Sequence, residues 1–249
     1  MNKKTVFITG SNRGIGFSIL KTFSEANYNI VAHARRRSNN FEEKIKNLSL
    51  KNDTIINPIY FDLAKEVEIK EAIRALIKKK VIIDILVNSA GVIHGALFQM
   101  THVKKIKEIF EINFFGTLEV TQLICKIMVK NKRGSIINIA SSAGIDLSEG
   151  NCAYGTSKAA IIAFTKTLSS EMSKYGIRVN AIAPSLTDTD MGNSMEATKE
   201  RDLLESSKFP LKRMALPKEI SNTVKFLASE ESSFINGEII RVDGGNRFN

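Results

Sequence analysis

Thr5-Val6-Phe7-Ile8-Thr9-Gly10-Ser11-Asn12-Arg13-Gly14-Ile15-Gly16 passes from a β-branched apolar run, through a glycine-rich turn, straight into a helical pattern. Ile15, Ile19, Leu20 and Phe23 recur at helical spacing just beyond it. Glycines at such a junction allow a tight turn and let backbone amides approach a pyrophosphate, which then lies against the positive end of the helix. The spacing is G-x-x-x-G-x-G rather than G-x-G-x-x-G, and a plain tight turn would account for the glycines alone. Their place between a first strand and a first helix is what points to a nucleotide. Gly10, Ser11, Asn12, Arg13, Gly14, Ile15 and Gly16 are therefore the expected phosphate cradle.

The same strand-then-helix unit repeats outward from this junction. Strands are expected over 5–9, 29–34, 55–61, 83–88, 135–140, 178–183 and 238–242, and helices over 15–26, 40–47, 66–79, about 102–130, 152–174 and 217–228. The strand segments are almost continuously apolar rather than alternating, as parallel strands covered on both faces are. Pro217 suits a first helical turn, where its missing N–H costs nothing. Short connections and right-handed crossovers then give one α/β domain over 1–249: a doubly wound sheet of about seven parallel strands with helices on both faces. The long irregular stretch 185–210, which contains Met191, Met195 and Leu203, reads equally as a lid over a site or as two short surface helices.

Composition excludes several classes. With 249 residues, 43% hydrophobic and 25% charged, the chain is an ordinary globular one, large enough to bury a core without staples. No apolar run approaches the roughly 20 residues of a membrane span. Met1-Asn2-Lys3-Lys4 leads too quickly into the first strand for a signal peptide. Cys125 and Cys152 make neither a disulfide framework nor a metal pattern, so no metal is expected and a reducing cytoplasm is the simple reading. Basic residues number 36 against 26 acidic, a net of +10, and residues 1–80 hold 16 against 8. Such a field attracts phosphates, acidic carrier proteins or nucleic acid. Solvated lysine-rich surfaces explain it as simply, and no nucleic-acid motif is present.

Which dinucleotide binds is read at the end of the second strand. A carboxylate there would take a ribose 2′-hydroxyl, and arginine a 2′-phosphate. The sequence runs His33-Ala34-Arg35-Arg36-Arg37 without a carboxylate. A guanidinium forks onto phosphate oxygens, so Arg13 with Arg35 or Arg36 makes a clamp that favours NADP(H) over NAD(H). Arg37 reads as a solvated turn residue. Asp62 and Leu63 end the third strand, and Asn88-Ser89-Ala90-Gly91 ends the fourth. All lie at carboxyl ends, where open α/β sheets bind ligands. Asp62 is expected at the adenine, and Asn88, Ala90 and Gly91 beside the ribose, with a helix cap or turn as the alternative for each.

The reactive end is expected on the long helix opening at residue 152. Tyr154 and Lys158 stand at i and i+4, on one helix face. An ammonium beside a phenol favours the phenolate, so Tyr154 is expected to have a lowered pKa and to exchange a proton with a carbonyl or alcohol oxygen. Thirteen residues earlier Ser141 ends the fifth strand, with Ser142 as its rival, and its hydroxyl can orient a substrate oxygen.

Taken in order, the T-G-x-x-x-G-I-G turn, Asn88 to Gly91, Ser141, Tyr154-x-x-x-Lys158 and Val242-Asp243-Gly244-Gly245 resemble the short-chain dehydrogenase/reductase family over essentially the whole chain. The resemblance implies a seven-stranded Rossmann sheet and hydride transfer between NAD(P) and a carbonyl or alcohol. It implies Tyr154 as general acid/base, and Lys158 as the residue that lowers its pKa and holds the nicotinamide ribose. Ser141 would orient substrate, and Asn113 would support a water-linked proton relay. Thr187 and Thr189 would bond the nicotinamide carboxamide. Without it, Asn113 reads as a buried polar residue bending its helix.

Within that family the chain is most similar to the 3-oxoacyl-[acyl-carrier-protein] reductases. This implies a carrier-bound acyl substrate, an acidic acyl carrier protein as partner and a homotetramer, with Phe110, Phe114, Phe115, Leu118 and Ile124 as interface or core. Lys132, Arg133 and Lys174 are expected beside the cleft for that partner, with helix-end cations as the alternative. Ser89 and Ser185 depart from the family's asparagine and glycine. Val92-Ile93-His94-Gly95 replaces a polar stretch, which leaves another small ketone, secondary alcohol or sugar-derived intermediate as an alternative substrate. A non-catalytic nucleotide-binding regulator is the outside reading.

Overall fold

Strands apolar on both faces are stable only between two layers of helices, and the chain builds that arrangement. A computed structural model describes residues 3–194 and 210–246. Seven parallel strands pair in the order β3-β2-β1-β4-β5-β6-β7. They are β1 (Thr5–Thr9), β2 (Asn29–Ala34), β3 (Ile56–Tyr60), β4 (Ile85–Asn88), β5 (Gly134–Ile139), β6 (Ile177–Pro184) and β7 (Ile239–Val242). The helices are α1 (Gly14–Glu25), α2 (Asn39–Asn52), α3 (Glu66–Lys78), α4 (Val103–Phe110), α5 (Gly116–Asn131), α6 (Ala143–Asp146), α7 (Cys152–Ser173), α8 (Asp190–Ser194) and α9 (Pro217–Ala228).

The period of two along β1 divides the core. Val6 and Ile8 pack with Ile19, Leu20 and Phe23 of α1 and with Ile220, Val224 and Leu227 of α9. Phe7 faces the other layer, with Ile69 and Ile73 of α3 and Val120 and Ile124 of α5. Ile124 is thus a core residue, while Phe115 is exposed.

Strands β3 to β7 differ from their expected spans by one or two residues at their ends, α6 is an added short helix, and two of the expected helices differ more. α2 runs five residues past 47 because Asp53, in the left-handed region at φ 49°, closes it by donating its amide to Ser49 O. The helix expected over 102–130 is continuous but changes register: a π-helical turn at Glu111–Phe115 joins α4 to α5. Val103–Asn131 is long and apolar enough by composition to cross a membrane, yet half of its apolar window is buried against the rest of the fold. It is a core helix. Of the stretch 185–210, α8 forms within the described residues; Met195 and Leu203 lie outside them.

The sheet reverses its winding between β1 and β4, and the crevice outside their carboxyl ends is where such sheets take ligands. The glycine turn leaves β1 there, Asn88 ends β4 there, and Ser141 follows β5 there.

Candidate active site

A cleft of about 640 Å³ opens at those carboxyl ends. Of the expected cofactor residues, Gly10, Asn12, Arg13, Gly14, Ile15, Gly16, Arg35, Arg36, Asp62, Leu63, Ala90, Gly91, Tyr154, Lys158, Thr187 and Thr189 line it, as does Ser141. Ser11, Asn88 and Asn113 stand behind its wall.

The glycine turn is shaped for close approach. Gly10 has φ 66°, and a Cβ there would lie 2.7 Å from Ala90 Cα; a Cβ on Gly16 would lie 2.1 Å from Gly10 O. No side chain fits at either position, so the backbone forms the floor, and the first-turn amides of α1 have no intrahelical acceptor. Ser11 is turned inward instead: its hydroxyl and amide both donate to His33 O, at 3.0 and 2.8 Å. His33 is the residue sequence reading missed. Its Nδ1 accepts from Gly10 N at 3.1 Å, its Nε2 donates to Phe61 O at 2.9 Å, and its ring stacks on Phe61 at 3.9 Å. Burial lowers its pKa to about 4, so it is a neutral strut under the turn.

That strut predicts an acid sensitivity. The unfolded imidazole protonates near 6.5 and the folded one only near 4, so the unfolded state binds more protons between those values. Stability is therefore complete above pH 6.5 and falls as pH drops through that window, by about 3 kcal/mol in all. Urea unfolding of wild type and His33→Gln at pH 7 and pH 4.5 checks this: the wild type should lose far more stability than the variant over that interval.

At the glycine-turn end of the cleft, neither Arg13 nor Arg35 has a hydrogen-bond or ion-pair partner among the described residues. Arg36 lies in the field of Glu68. Arg37 pairs with Glu42 at 2.8 Å, as a solvated turn residue would. Asp62 Oδ1 caps its own turn by accepting from Ala64 N at 3.0 Å while lining the cleft. Asn88 points away from the cleft; its Nδ2 donates to Thr121 Oγ1 and Asn138 Oδ1 at 2.9 and 2.8 Å. The next turn is held by Thr9, whose hydroxyl accepts from the amides of Ser89 and Ala90 at 3.0 and 3.1 Å. The change at Ser89 leaves these backbone contacts in place.

At the other end Ser141 and Tyr154 come together on the wall of the cleft, the serine hydroxyl close enough to act on the phenol. Glycines allow that meeting. A Cβ on Gly144 would lie 2.7 Å from Lys158 C, and one on Gly155 2.7 Å from Ala143 O, so α6 can lie directly on α7. Lys158 is 5% exposed; its Nζ donates to Ile139 O at 2.8 Å and sits 5.8 Å from the centre of the Tyr154 ring.

The expected lowering of the Tyr154 pKa is not what this environment produces. Burial raises it, against a smaller opposite effect of the Ser141 hydrogen bond. The ammonium lies under the ring rather than at the hydroxyl, so desolvation of the phenolate wins. Burial also lowers Lys158, to about 8.

Asn113 occupies the π turn. Its Nδ2 donates to Val92 O and Ser157 Oγ at 2.9 and 3.0 Å, and its Oδ1 accepts from Val92 N at 2.8 Å. The side chain is spent on the loop after β4 and on α7, and Gly91 passes directly over it. Helix irregularity and buried amide thus come together, as the residue-level reading expected.

Thr187 and Thr189 begin the stretch after β6. Thr189 lies against Gly14, where a Cβ would meet its Cγ2 at 3.4 Å, so this segment reaches the glycine turn. Ser185 keeps a negative φ, so its turn does not require glycine. Val92 and Ile93 line the cleft, and His94 does not.

Lys132, Arg133 and Lys174 are displaced from their expected place beside the cleft. They lie at the amino ends of the strands, because helices in β-α units run antiparallel to the strands. Lys132 caps α5 just before β5, Lys174 caps α7 just before β6, and Arg133 pairs with Asp84, just before β4, at 2.9 Å. Lys174 Nζ lies 5.2 Å from the centre of the Tyr175 ring.

A Rossmann sheet with a glycine turn at one end of its crevice and a serine, a tyrosine and a lysine at the other defines a class, and comparison with known proteins bears on it directly. The family profile described as enoyl-(acyl carrier protein) reductase matches residues 10–247. The chain is 34% identical to the 3-oxoacyl-[acyl-carrier-protein] reductase FabG of Chlamydia trachomatis, over 97% of this chain and 96% of that one. Among solved structures, a 3-oxoacyl-[acyl-carrier protein] reductase with bound NAD from Brucella melitensis superposes with a TM-score of 0.88 at 28% identity, covering 100% of this chain and 92% of that one. A putative gluconate dehydrogenase from Agrobacterium tumefaciens superposes at 0.92 with 26% identity, covering 97% and 95%. The chain belongs to the short-chain dehydrogenase/reductase family, oxidoreductases acting on CH–OH and C=O groups.

Proposed function

We propose that this chain is an NADPH-dependent reductase of a 3-oxoacyl thioester carried on acyl carrier protein, giving the 3-hydroxyacyl product. The observation that carries the chemistry is that Ser141 and Tyr154 line one end of the cleft beside the buried Lys158 ammonium, while at its other end Arg13 and Arg35 have no partner among the described residues.

The residues fit the nicotinamide dinucleotide by their own geometry. Glycines whose Cβ atoms would collide with backbone leave room for a pyrophosphate at the start of α1, and the guanidinium groups of Arg13 in the glycine turn and Arg35 just after β2 suit a 2′-phosphate. When bound, NADPH supplies hydride. Tyr154, protonated at neutral pH like any phenol and more firmly so for its burial, donates its proton to the substrate oxygen as negative charge grows there. Ser141 hydrogen-bonds the same oxygen, a preorganised donor aimed at developing charge. The Lys158 ammonium, fixed by Ile139 O, supplies positive potential beneath the ring. Asn113 fixes the loop after β4 against α7 and so positions Lys158 and Tyr154.

The curated relative supports the acyl substrate, and the net charge of +10 suits an acidic carrier. The structural likeness to a gluconate dehydrogenase keeps a polyol or other small ketone as the second reading. We place the enzyme in the cytoplasm as a homotetramer; exposed Phe98, Met100, Val103 and Phe115 around α4 and α5 support self-association.

The test is NADPH against NADH consumption with 3-oxobutanoyl-acyl carrier protein. NADPH-preferring turnover is expected. Arg35→Ala should raise the KM for NADPH about 10- to 100-fold, the loss of a charged hydrogen bond, and leave that for NADH nearly unchanged. Equal use of both cofactors by the wild type would remove the arginine argument.

A further inference from the structure

The chain after β7 is fastened to the serine turn by a single guanidinium. Arg241 makes a forked pair with Asp146 of α6, both contacts at 2.7 Å. It also reaches Asp243 Oδ2 through Nε at 2.5 Å, and the backbone oxygen of Asn246 through Nη2 at 2.6 Å. Asp146 is itself tied to Ser142, whose carbonyl accepts its amide at 2.8 Å. A latch therefore runs from the residue beside Ser141 to the described end of the chain.

Asn246 sits at the end of that latch and is among the residues lining the cleft, together with Ser142 and Ser185. It is 1% exposed, and neither its Oδ1 nor its Nδ2 has a hydrogen-bond partner among the described residues. Buried amides in native folds are paired with protein, water or ligand, and one unpaired at both ends marks a place where something polar is missing. Asn151 and Ser148, joined by an Nδ2 to Oγ hydrogen bond of 2.8 Å, line the same cleft as Tyr154 and give it further polar groups.

We propose that Asn246 is a specificity-determining residue: its carboxamide takes a second polar group of the substrate, an oxygen or amide beyond the carbonyl that reacts, and Arg241 is the positioning residue that holds it there. A carboxamide both donates and accepts, so it suits a neutral carbonyl, hydroxyl or amide and is left unpaired by a plain hydrocarbon substituent. This rests on the reading of the cleft as a carbonyl-reducing site.

The experiment compares the N-acetylcysteamine thioester of 3-oxobutanoate with a methyl ketone of similar length, using wild type, Asn246→Leu and Asn246→Ala. The wild type should favour the thioester at least tenfold in kcat/KM. Asn246→Leu should bring the two within about threefold, leave NADPH affinity unchanged and raise Tm, because an unpaired buried amide has been replaced by an apolar group of similar size. Asn246→Ala should lose the same preference. If both variants keep the wild-type ratio, the amide holds a buried water only and the proposal falls. If the wild type reduces neither compound, the enzymatic reading fails instead, and calorimetry of the same pair on the NADPH complex decides: loss of thioester binding in Asn246→Leu sustains the proposal, and its absence overturns it.

Discussion

Tyr154→Phe is expected to lower kcat about 1,000-fold while NADPH affinity and Tm stay at wild-type values. The phenyl ring keeps the packing of the phenol, and Ser141 keeps a partner, since its Oγ also accepts from Ala143 N at 3.2 Å. Only the proton that must reach the substrate oxygen is removed. NADPH oxidation followed at 340 nm beside a fluorescence titration of NADPH separates the two effects. A variant that retained a tenth of the wild-type rate would mean that another group delivers the proton. The pH dependence follows from the raised pKa of Tyr154: ketone reduction needs the protonated phenol and should fall only at alkaline pH, while alcohol oxidation should rise over the same range.

The parts of this site legible in the sequence are those fixed by local spacing. Tyr154 and Lys158 share a helix face whatever surrounds them, and a glycine run between strand and helix has few other uses. β1 and β2 occupy the expected residues because their apolar runs end in turn-forming ones. What spacing cannot carry is the partner far along the chain. His33 read only as one more residue of the strand over 29–34, because its partners, Gly10 and Phe61, lie 23 and 28 residues away. The sequence marked Asn113 as a buried polar residue that disturbs its helix, but the π form of the turn and the bonds to Val92, 21 residues earlier, belong to the tertiary fold. The pKa of Tyr154 went the other way for the same reason: proximity to lysine is visible at i, i+4, whereas burial belongs to the tertiary fold. The three misplaced cations show a further limit. Their neighbours in sequence were known, but the end of the sheet they occupy is set by the direction of each helix.

Lys158→Met should abolish turnover and at the same time stabilise the protein. An ammonium 5% exposed, whose one hydrogen bond among the described residues runs to Ile139 O, is held in the charged form at neutral pH against its desolvation, which is why its pKa falls to about 8. The unfolded lysine titrates near 10.4, so charging the buried group costs about 3 kcal/mol of stability below pH 8. Methionine fills a similar volume without charge and gives up one hydrogen bond worth about 1 kcal/mol. The variant should therefore be about 2 kcal/mol more stable at pH 7, seen as a rise of several degrees in Tm for a chain of this size. Between pH 8 and 10.4 the wild type sheds the proton in its folded state first, so its stability rises with pH and the advantage of the variant disappears. Melting curves at pH 7 and pH 10 test both limbs. A variant less stable than wild type at pH 7 would mean that the ammonium is well paired in the resting protein. The expected result instead makes Lys158 a group held at a cost to the fold for the positive potential it places beneath Tyr154.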